Sequence, residues 1–415
     1  MEVLEEILQE ANRCLQCKTR PCTKGCPLGN AIPEAIQAVR QKNWQKANQI
    51  FQQTNCLSSV CGRVCPHSKQ CEGACVRGKK GKPIAIGKIE AYVADQSQTI
   101  IPESQQLQGK KVAIVGGGPA GLTAGAFLAR AGASVTIFEK QEKLGGILTY
   151  GIPRFRLPME VVESSIQKIL ASGIEVKTRY QLGQNLMLEE LQKQYQAIFL
   201  AMGANCSCKM PVEGNQLPQV YGANELLQQE KHPEFQGKRV AVIGGGNVAI
   251  DVARSAKRWG AKEVTIVYRR GREQMPAEPK EIQAAEQEGV QFQFCTNLVR
   301  ILGQKQVEQM EIVHTQLQAR EGESRLVPVD IEGSNETISM DCVIMAIGSK
   351  MDGQWMGHTV FEISDRGYVK TDEHYQTNVK GVFAGGDLVG TKATIAWACK
   401  TGREAAQEIK TFLLS

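Results

Sequence analysis

Apolar residues follow one rhythm in the first hundred positions and another in the rest of the chain. Residues 4–13 and 33–53 carry them at helical spacing, with Pro33 as a first-turn proline ahead of Ile36, Val39 and Trp44. From Lys111 onward, short apolar runs end in glycine. Lys111 to Val115 leads into Gly116, and Val240 to Ile243 into Gly244, so the strand–glycine pattern occurs twice. Ala197 to Gly203 (AIFLAMG) and Cys342 to Gly348 (CVIMAIG) also match one another, each an apolar strand ending in glycine. Between them, residues 304–340 are charged, with Val, Ile and Thr in short runs that predict strands. Gln96 to Lys110 lacks periodicity and is expected to be a linker.

These patterns predict an α/β protein. A helical domain over residues 1–100 precedes two Rossmann-like nucleotide-binding domains, the second inserted in the first: 108–235 with 342–415, and 236–341. On this reading the first sheet resumes near residue 342.

Composition narrows the class. A chain of 415 residues with 42% hydrophobic content has room for two or three cored domains. No run is long enough to span a bilayer, and the acidic start at Glu2, Glu5 and Glu6 is unlike a secretory signal, so a reducing cytoplasm is the expected location and no membrane partner is expected. The first hundred residues hold 14 Lys and Arg against 8 Asp and Glu, which accounts for the whole net charge of +6. That excess coincides with a cysteine-rich region whose thiolates are anionic, so it is read as local compensation and no nucleic-acid partner is expected.

Cys14, Cys17, Cys22 and Cys26 form one run, and Cys61, Cys65, Cys71 and Cys75 a second. Iron–sulfur clusters are held by thiolates, and two four-iron clusters need about eight ligands. The first run, Cys-x2-Cys-x4-Cys-x3-Cys-Pro, resembles a ferredoxin run with a longer second gap, in which the fourth cysteine serves the other cluster. Disulfides, zinc and packed thiols are the alternatives. Cys56 is a ninth candidate, better read as a packed thiol, and Cys206, Cys208, Cys295, Cys342 and Cys399 are scattered.

Gly116-x-Gly118-x-x-Gly121 lies between a strand and a helix, which lets backbone N–H groups approach a pyrophosphate. The next strand ends at Glu139, whose carboxylate suits a free ribose 2′-hydroxyl. Gly244-x-Gly246-x-x-Ala249 repeats the arrangement, but its following strand ends at Arg269 and Arg270, which favour a 2′-phosphate and hence NADPH. Val382 to Asp387, with Gly386, is a further strand–glycine–acid turn, followed by a helix from about Thr394, and suits a flavin. The histidines, His67, His232, His314, His358 and His374, are scattered, so no hydrolytic centre is expected.

With these motifs, CLQCKTRPCTKGCP, CGRVCPHSKQCEGAC, PIAIGKIEAYVAD, GGGPAGL, FEKQEKLGGILTYGIPRFRLP, GGGNVAIDVARSA, YRRGREQMPA and VFAGGD, the chain resembles the glutamate synthase small (beta) subunit family. Related to that family are the NADPH-oxidising subunit of bacterial dihydropyrimidine dehydrogenase and the flavin subunit of NADH-dependent ferredoxin:NADP oxidoreductase. The resemblance implies FAD held by Pro119, Ala120, Gly121, Glu139, Gly145, Gly146, Arg156, Asp387 and Thr394, and NADPH against Asn247, Val248, Ala249, Arg269 and Arg270. It implies two [4Fe–4S] clusters, one on Cys14, Cys17, Cys22 and Cys75 and the other on Cys26, Cys65, Cys71 and Glu90. Here it parts from a count of cysteines, which would use Cys61. It also implies a catalytic partner subunit that receives the electrons, foremost the glutamate synthase large subunit, with the pyrimidine- or ferredoxin-linked role as the alternative. A cluster-bearing scaffold or redox sensor without turnover is the alternative of another class.

Overall fold

The helical rhythm of the first hundred residues becomes the α-helices Glu2–Asn12, Pro21–Gly25, Ile32–Arg40, Trp44–Gln52, Ser58–Val64 and Ile86–Gln96. They belong to a computed structural model that describes residues 2–96, 104–229, 231–322, 325–353, 355 and 360–415. The single helix expected over residues 33–53 is in fact two. Lys42 takes a left-handed φ of 55°, and the Asn43 side chain accepts the Lys46 N–H at 3.0 Å as an N-cap, so one helix stops and another starts. Helices Ser58–Val64 and Ile86–Gln96 cross at backbone contact: a Cβ on Gly62 would stand 2.6 Å from both Ala91 N and Gly87 O.

The strands form two parallel five-stranded sheets of corresponding order. The first runs Val382–Ala384, Ala197–Leu200, Lys111–Val115, Ser134–Glu139, Glu175–Thr178. The second runs Val220–Gly222, Cys342–Met345, Arg239–Ile243, Glu263–Tyr268, Gln291–Phe294. In each, the strand leading into the glycine loop is central, and the two matched apolar runs take the same place beside it. A smaller antiparallel sheet, Thr296–Leu302, Gln309–Gln318 and Val327–Asp330, with Glu336–Ser339 also paired to its middle strand, accounts for the expected strands of residues 304–340.

One expectation is corrected. Cys342–Met345 pairs with Arg239–Ile243 and Val220–Gly222, so it completes the second sheet, and the first resumes only at Val382–Ala384. The compact units are accordingly Met1–Ala204 with Met351–Ser415, and Asn205–Lys350. The N-terminal helices share the first unit with the first sheet. Basic side chains bind carbonyls of the helical region: Arg403 reaches Leu28 O at 2.8 Å, Arg130 reaches Gln52 O at 3.0 Å and Lys168 reaches Ala94 O at 2.9 Å. Of the expected linker, residues 97–103 lie outside the described residues. Beyond them Ser104 and Leu107 donate backbone bonds to Arg130 O and Ala131 O, and Leu107 is fully buried.

Helix Ile395–Leu414 packs on Pro119–Arg130, the helix after the first glycine loop, at backbone distance. A Cβ on Gly402 would lie 2.3 Å from Ala120 O, and a carbonyl cannot swing aside as a flexible side chain can. Gly402→Ala gains about 1 kcal/mol of helix propensity, but forcing the helices apart costs roughly 1–3 kcal/mol. The substitution is therefore expected to lower the thermal unfolding midpoint and to reduce flavin retention, as measured by calorimetry and by absorbance after gel filtration.

Candidate functional site

The first glycine loop is built by close approach. A Cβ on Gly116 would meet Ala201 O at 2.5 Å, and one on Gly121 would meet Gly116 O at 1.9 Å, so only glycine lets the chain turn from strand to helix here. Gly118 precedes the helix Pro119–Arg130, whose first turn contains Pro119, Ala120 and Gly121. Glu139 is buried at the end of its strand. Its Oε2 accepts the Gly117 N–H at 2.8 Å and its Oε1 the Gln141 N–H at 2.9 Å, so the carboxylate is fixed against the loop with acceptor capacity to spare.

Other expected flavin contacts converge on the same loop. Gly145 donates to Gly117 O at 2.8 Å, and a Cβ on Gly146 would stand 3.0 Å from the Gly118 Cα. Gly386 has φ 68°, and a Cβ there would be 3.0 Å from the Ala120 Cβ. The cradle is thus lined by backbone where a cofactor must come close. Asp387 follows. Burial pushes its carboxyl up, opposed by the Thr391 hydroxyl that donates to it at 3.0 Å. Thr394 caps the helix Ile395–Leu414, accepting the Trp397 N–H. Arg156 is half-buried in the loop after the short helix Ile147–Tyr150.

The second unit repeats this geometry. A Cβ on Gly244 would lie 2.2 Å from Ala346 O, the counterpart of Gly116 against Ala201, while Gly246 has open space above it at the start of the helix Asn247–Arg258. Ala249 is fully buried against the sheet and Val248 half-buried. Asn247 Oδ1 accepts the Glu278 N–H at 2.9 Å and Ala277 donates to Gly245 O, so this side chain also anchors the loop following the arginines. Of the basic residues after Tyr268, Arg272 is held bidentately by Glu286. Arg269 is exposed, and Arg270 donates through Nε to Leu326 O at 3.1 Å. The pair therefore stands where the first unit has Glu139.

The cysteines fall into two groups. Cys14 feels the neighbouring charges of Cys17 and Cys75, and Cys22 those of Cys14 and Cys75. Cys26, Cys65 and Cys71 each feel Glu90, and Cys26 also neighbours Cys65 and Cys71. Burial, with these neighbours, pushes the Cys14, Cys22, Cys26, Cys65 and Cys71 thiols up, Cys22 to about 11. Without a cation these five prefer to stay protonated. Cys61 is hydrogen-bonded to Cys399 and Cys65 and donates weakly to Asn55 Oδ1 at 3.8 Å. Among the described residues no three His, Cys, Asp or Glu donors converge on a single-ion position.

Glu90 is 5% exposed. Burial raises its pKa to about 7, against the bonds it accepts from Ser58, Asn55 and Asn30. Asn30 Nδ2 and Asn55 Nδ2 donate to its Oε1 at 3.1 and 2.9 Å. Neither asparagine was singled out from the sequence; the available signal was two amides in a segment otherwise rich in cysteine and apolar residues. Thr401, which accepts the Gly386 N–H at 2.8 Å, was likewise missed. As for the histidines, His67 is buried, His232 stacks on Trp259, His314 and His374 face glutamates, and His358 lies outside the described residues.

Among the described residues no helix is long and apolar enough to cross a membrane. Residues 110–407 match the family described as pyridine nucleotide-disulphide oxidoreductase, and residues 2–100 that described as dihydropyrimidine dehydrogenase domain II, 4Fe-4S cluster. The chain is 34% identical to the glutamate synthase [NADPH] small chain of Halomonas elongata, across 99% of this chain and 91% of the relative. It is 36% identical to the NADP(+)-dependent formate dehydrogenase subunit beta of Moorella thermoacetica, across 95% of this chain but 60% of that one. Among solved structures, Mycobacterium tuberculosis FprA in complex with NADPH superposes with a TM-score of 0.66 at 19% identity, over 73% of this chain and 84% of FprA, a likeness of fold. The chain therefore belongs to the pyridine nucleotide-disulphide oxidoreductase family, in the iron–sulfur group that includes the glutamate synthase small chains.

Proposed function

We infer that this protein is an NADPH-oxidising flavin and iron–sulfur oxidoreductase that delivers electrons to a partner protein. The observation that carries the reading is the presence, in one compact unit, of a glycine cradle lined by backbone and two groups of four ionisable side chains. Bound FAD would supply the conversion of a two-electron donor such as NADPH into single electrons, which is what iron–sulfur clusters carry. The protein's own work is to hold and orient. Glu139 and the glycine loop would bind the adenosine half of FAD, with Gly145, Gly146, Arg156, Gly386, Asp387 and Thr394 around the remainder. Gly244, Gly246, Asn247, Val248, Ala249, Arg269 and Arg270 would hold NADPH.

We assign two [4Fe–4S] clusters, one to Cys14, Cys17, Cys22 and Cys75 and the other to Cys26, Cys65, Cys71 and Glu90. Glu90 is favoured over Cys61 because it neighbours all three thiols of its group, whereas Cys61 is engaged by Cys399. For the partner we favour the large subunit of a glutamate synthase, since relatives named glutamate synthase [NADPH] small chain match across 91% of their length. The formate dehydrogenase relative keeps a different acceptor as the second reading.

Two outcomes are expected. Glu90→Ala should change the electron paramagnetic resonance spectrum and potential of one cluster, because ligand identity sets potential, while Cys61→Ser leaves both clusters intact; the reverse result would return the ligand to Cys61. Charge-assisted bonds to the 2′-phosphate are worth about 1.5–3 kcal/mol each, so flavin reduction should favour NADPH over NADH by at least ~10-fold. Replacing Arg269 and Arg270 with alanine should shrink that preference in stopped-flow traces. Equal rates with both nucleotides in the wild type would refute the assignment.

A further inference from the structure

We propose that a cavity beside Cys17 is the docking site for an acidic face of the electron-accepting partner protein, which draws electrons from the cluster of the Cys14, Cys17, Cys22 and Cys75 group. The proposal rests on the cluster reading above and adds where electrons leave and what charge their acceptor bears. Each transfer oxidises the cluster by one electron and reduces the partner by one, with no bond made or broken.

The two ligand groups differ in their access to solvent. Cys65 and Cys71 are buried and Glu90 is 5% exposed; Cys26 is half-buried but, like Cys65, packs with the core of the first sheet. Cys14, Cys17, Cys22 and Cys75 are all half-buried. Electrons entering at the sheet thus meet the surface at the second of these groups. There a cavity of about 630 Å³ is lined by Cys17, Lys18, Arg20, Glu34, Lys46 and Ile50, among others.

The charge around it is one-sided. Glu34 is paired with Arg20 at 2.5 Å, which leaves the exposed Lys18 and Lys46 to set the sign of the cavity. Arg13 donates to Lys82 O at 2.6 Å, which ties the exposed Lys79, Lys80 and Lys82 loop to the end of the first helix, just before Cys14. Leu15, between ligands Cys14 and Cys17, is 55% exposed and offers an apolar contact within the basic surround. Such a surface attracts an acidic protein over a distance and lets it settle within reach of Cys17.

The test uses the intact protein, with its cofactors, prepared without oxygen. Its probes are native cytochrome c, which is basic, and succinylated cytochrome c, whose lysines carry carboxylates; the haem is the same. The wild type should bind the succinylated form more tightly and reduce it at least ~10-fold faster at low salt, and the difference should collapse at about 1 M salt, where screening reaches roughly 3 Å. Lys18→Glu with Lys46→Glu should reverse the order in both dissociation constant and rate, and the milder Lys18→Gln with Lys46→Gln should narrow the gap. Reduction of flavin by NADPH should be unchanged in all variants. Unaltered constants and rates in both variants, or a wild type that favours the native form, would overturn the proposal. Failure of NADPH to reduce the flavin would instead defeat the functional reading, and the dissociation constants would still judge the docking site.

Discussion

Seven cysteines and a glutamate that can each carry negative charge are gathered into a small helical region, and much else in the first unit answers to that repulsion. Burial and mutual proximity push the Cys14, Cys22, Cys26, Cys65 and Cys71 thiols up, and burial pushes Glu90 to about 7, so these groups are poorly matched as bare anions. Iron supplies the opposing charge in a bound cluster. The protein contributes the geometry, through the backbone contact at Gly62 that brings the helices of Cys65 and Glu90 together, and through the amides of Asn30 and Asn55 that hold the carboxylate. It also contributes the charge of the surround, where the whole positive excess of the sequence is found.

On the proposed reading, the two glycine loops offer one geometry to two ligands. In each, the first glycine lies against a carbonyl of the neighbouring strand's end, Ala201 or Ala346, and the helix begins three residues later. The shared part selects for a pyrophosphate. Selection between nucleotides is left to the end of the next strand, where the first loop has the buried Glu139 and the second has Arg269 and Arg270. A carboxylate accepts hydroxyl protons and repels phosphate; a guanidinium pair does the reverse.

The features legible in the sequence are those decided locally. Glycine loops, the strands leading into them and the acid or arginines that follow are set within some thirty residues, as is usual for a βαβ unit. The fate of Cys342–Met345 is not local. Its fully apolar run fits either sheet, and its likeness to Ala197–Leu200 does not say which; only pairing with Arg239–Ile243 decides it. The break between Arg40 and Trp44 was written in Asn43, a good N-cap, but the apolar spacing running through it masked the signal. Asn30 and Asn55 could not be tied to Glu90 from the sequence, because 60 and 35 residues separate them from it and the fold alone brings them together.

The central claim is that NADPH feeds two four-iron clusters through one flavin. It is met most directly by Mössbauer spectroscopy of iron-isotope-enriched protein, purified without oxygen and examined before and after NADPH. The account predicts roughly eight irons per chain in two four-iron sites, with electrons reaching them only when FAD is bound. A single four-iron site, zinc in place of iron, or clusters that NADPH reduces in flavin-free protein would contradict it.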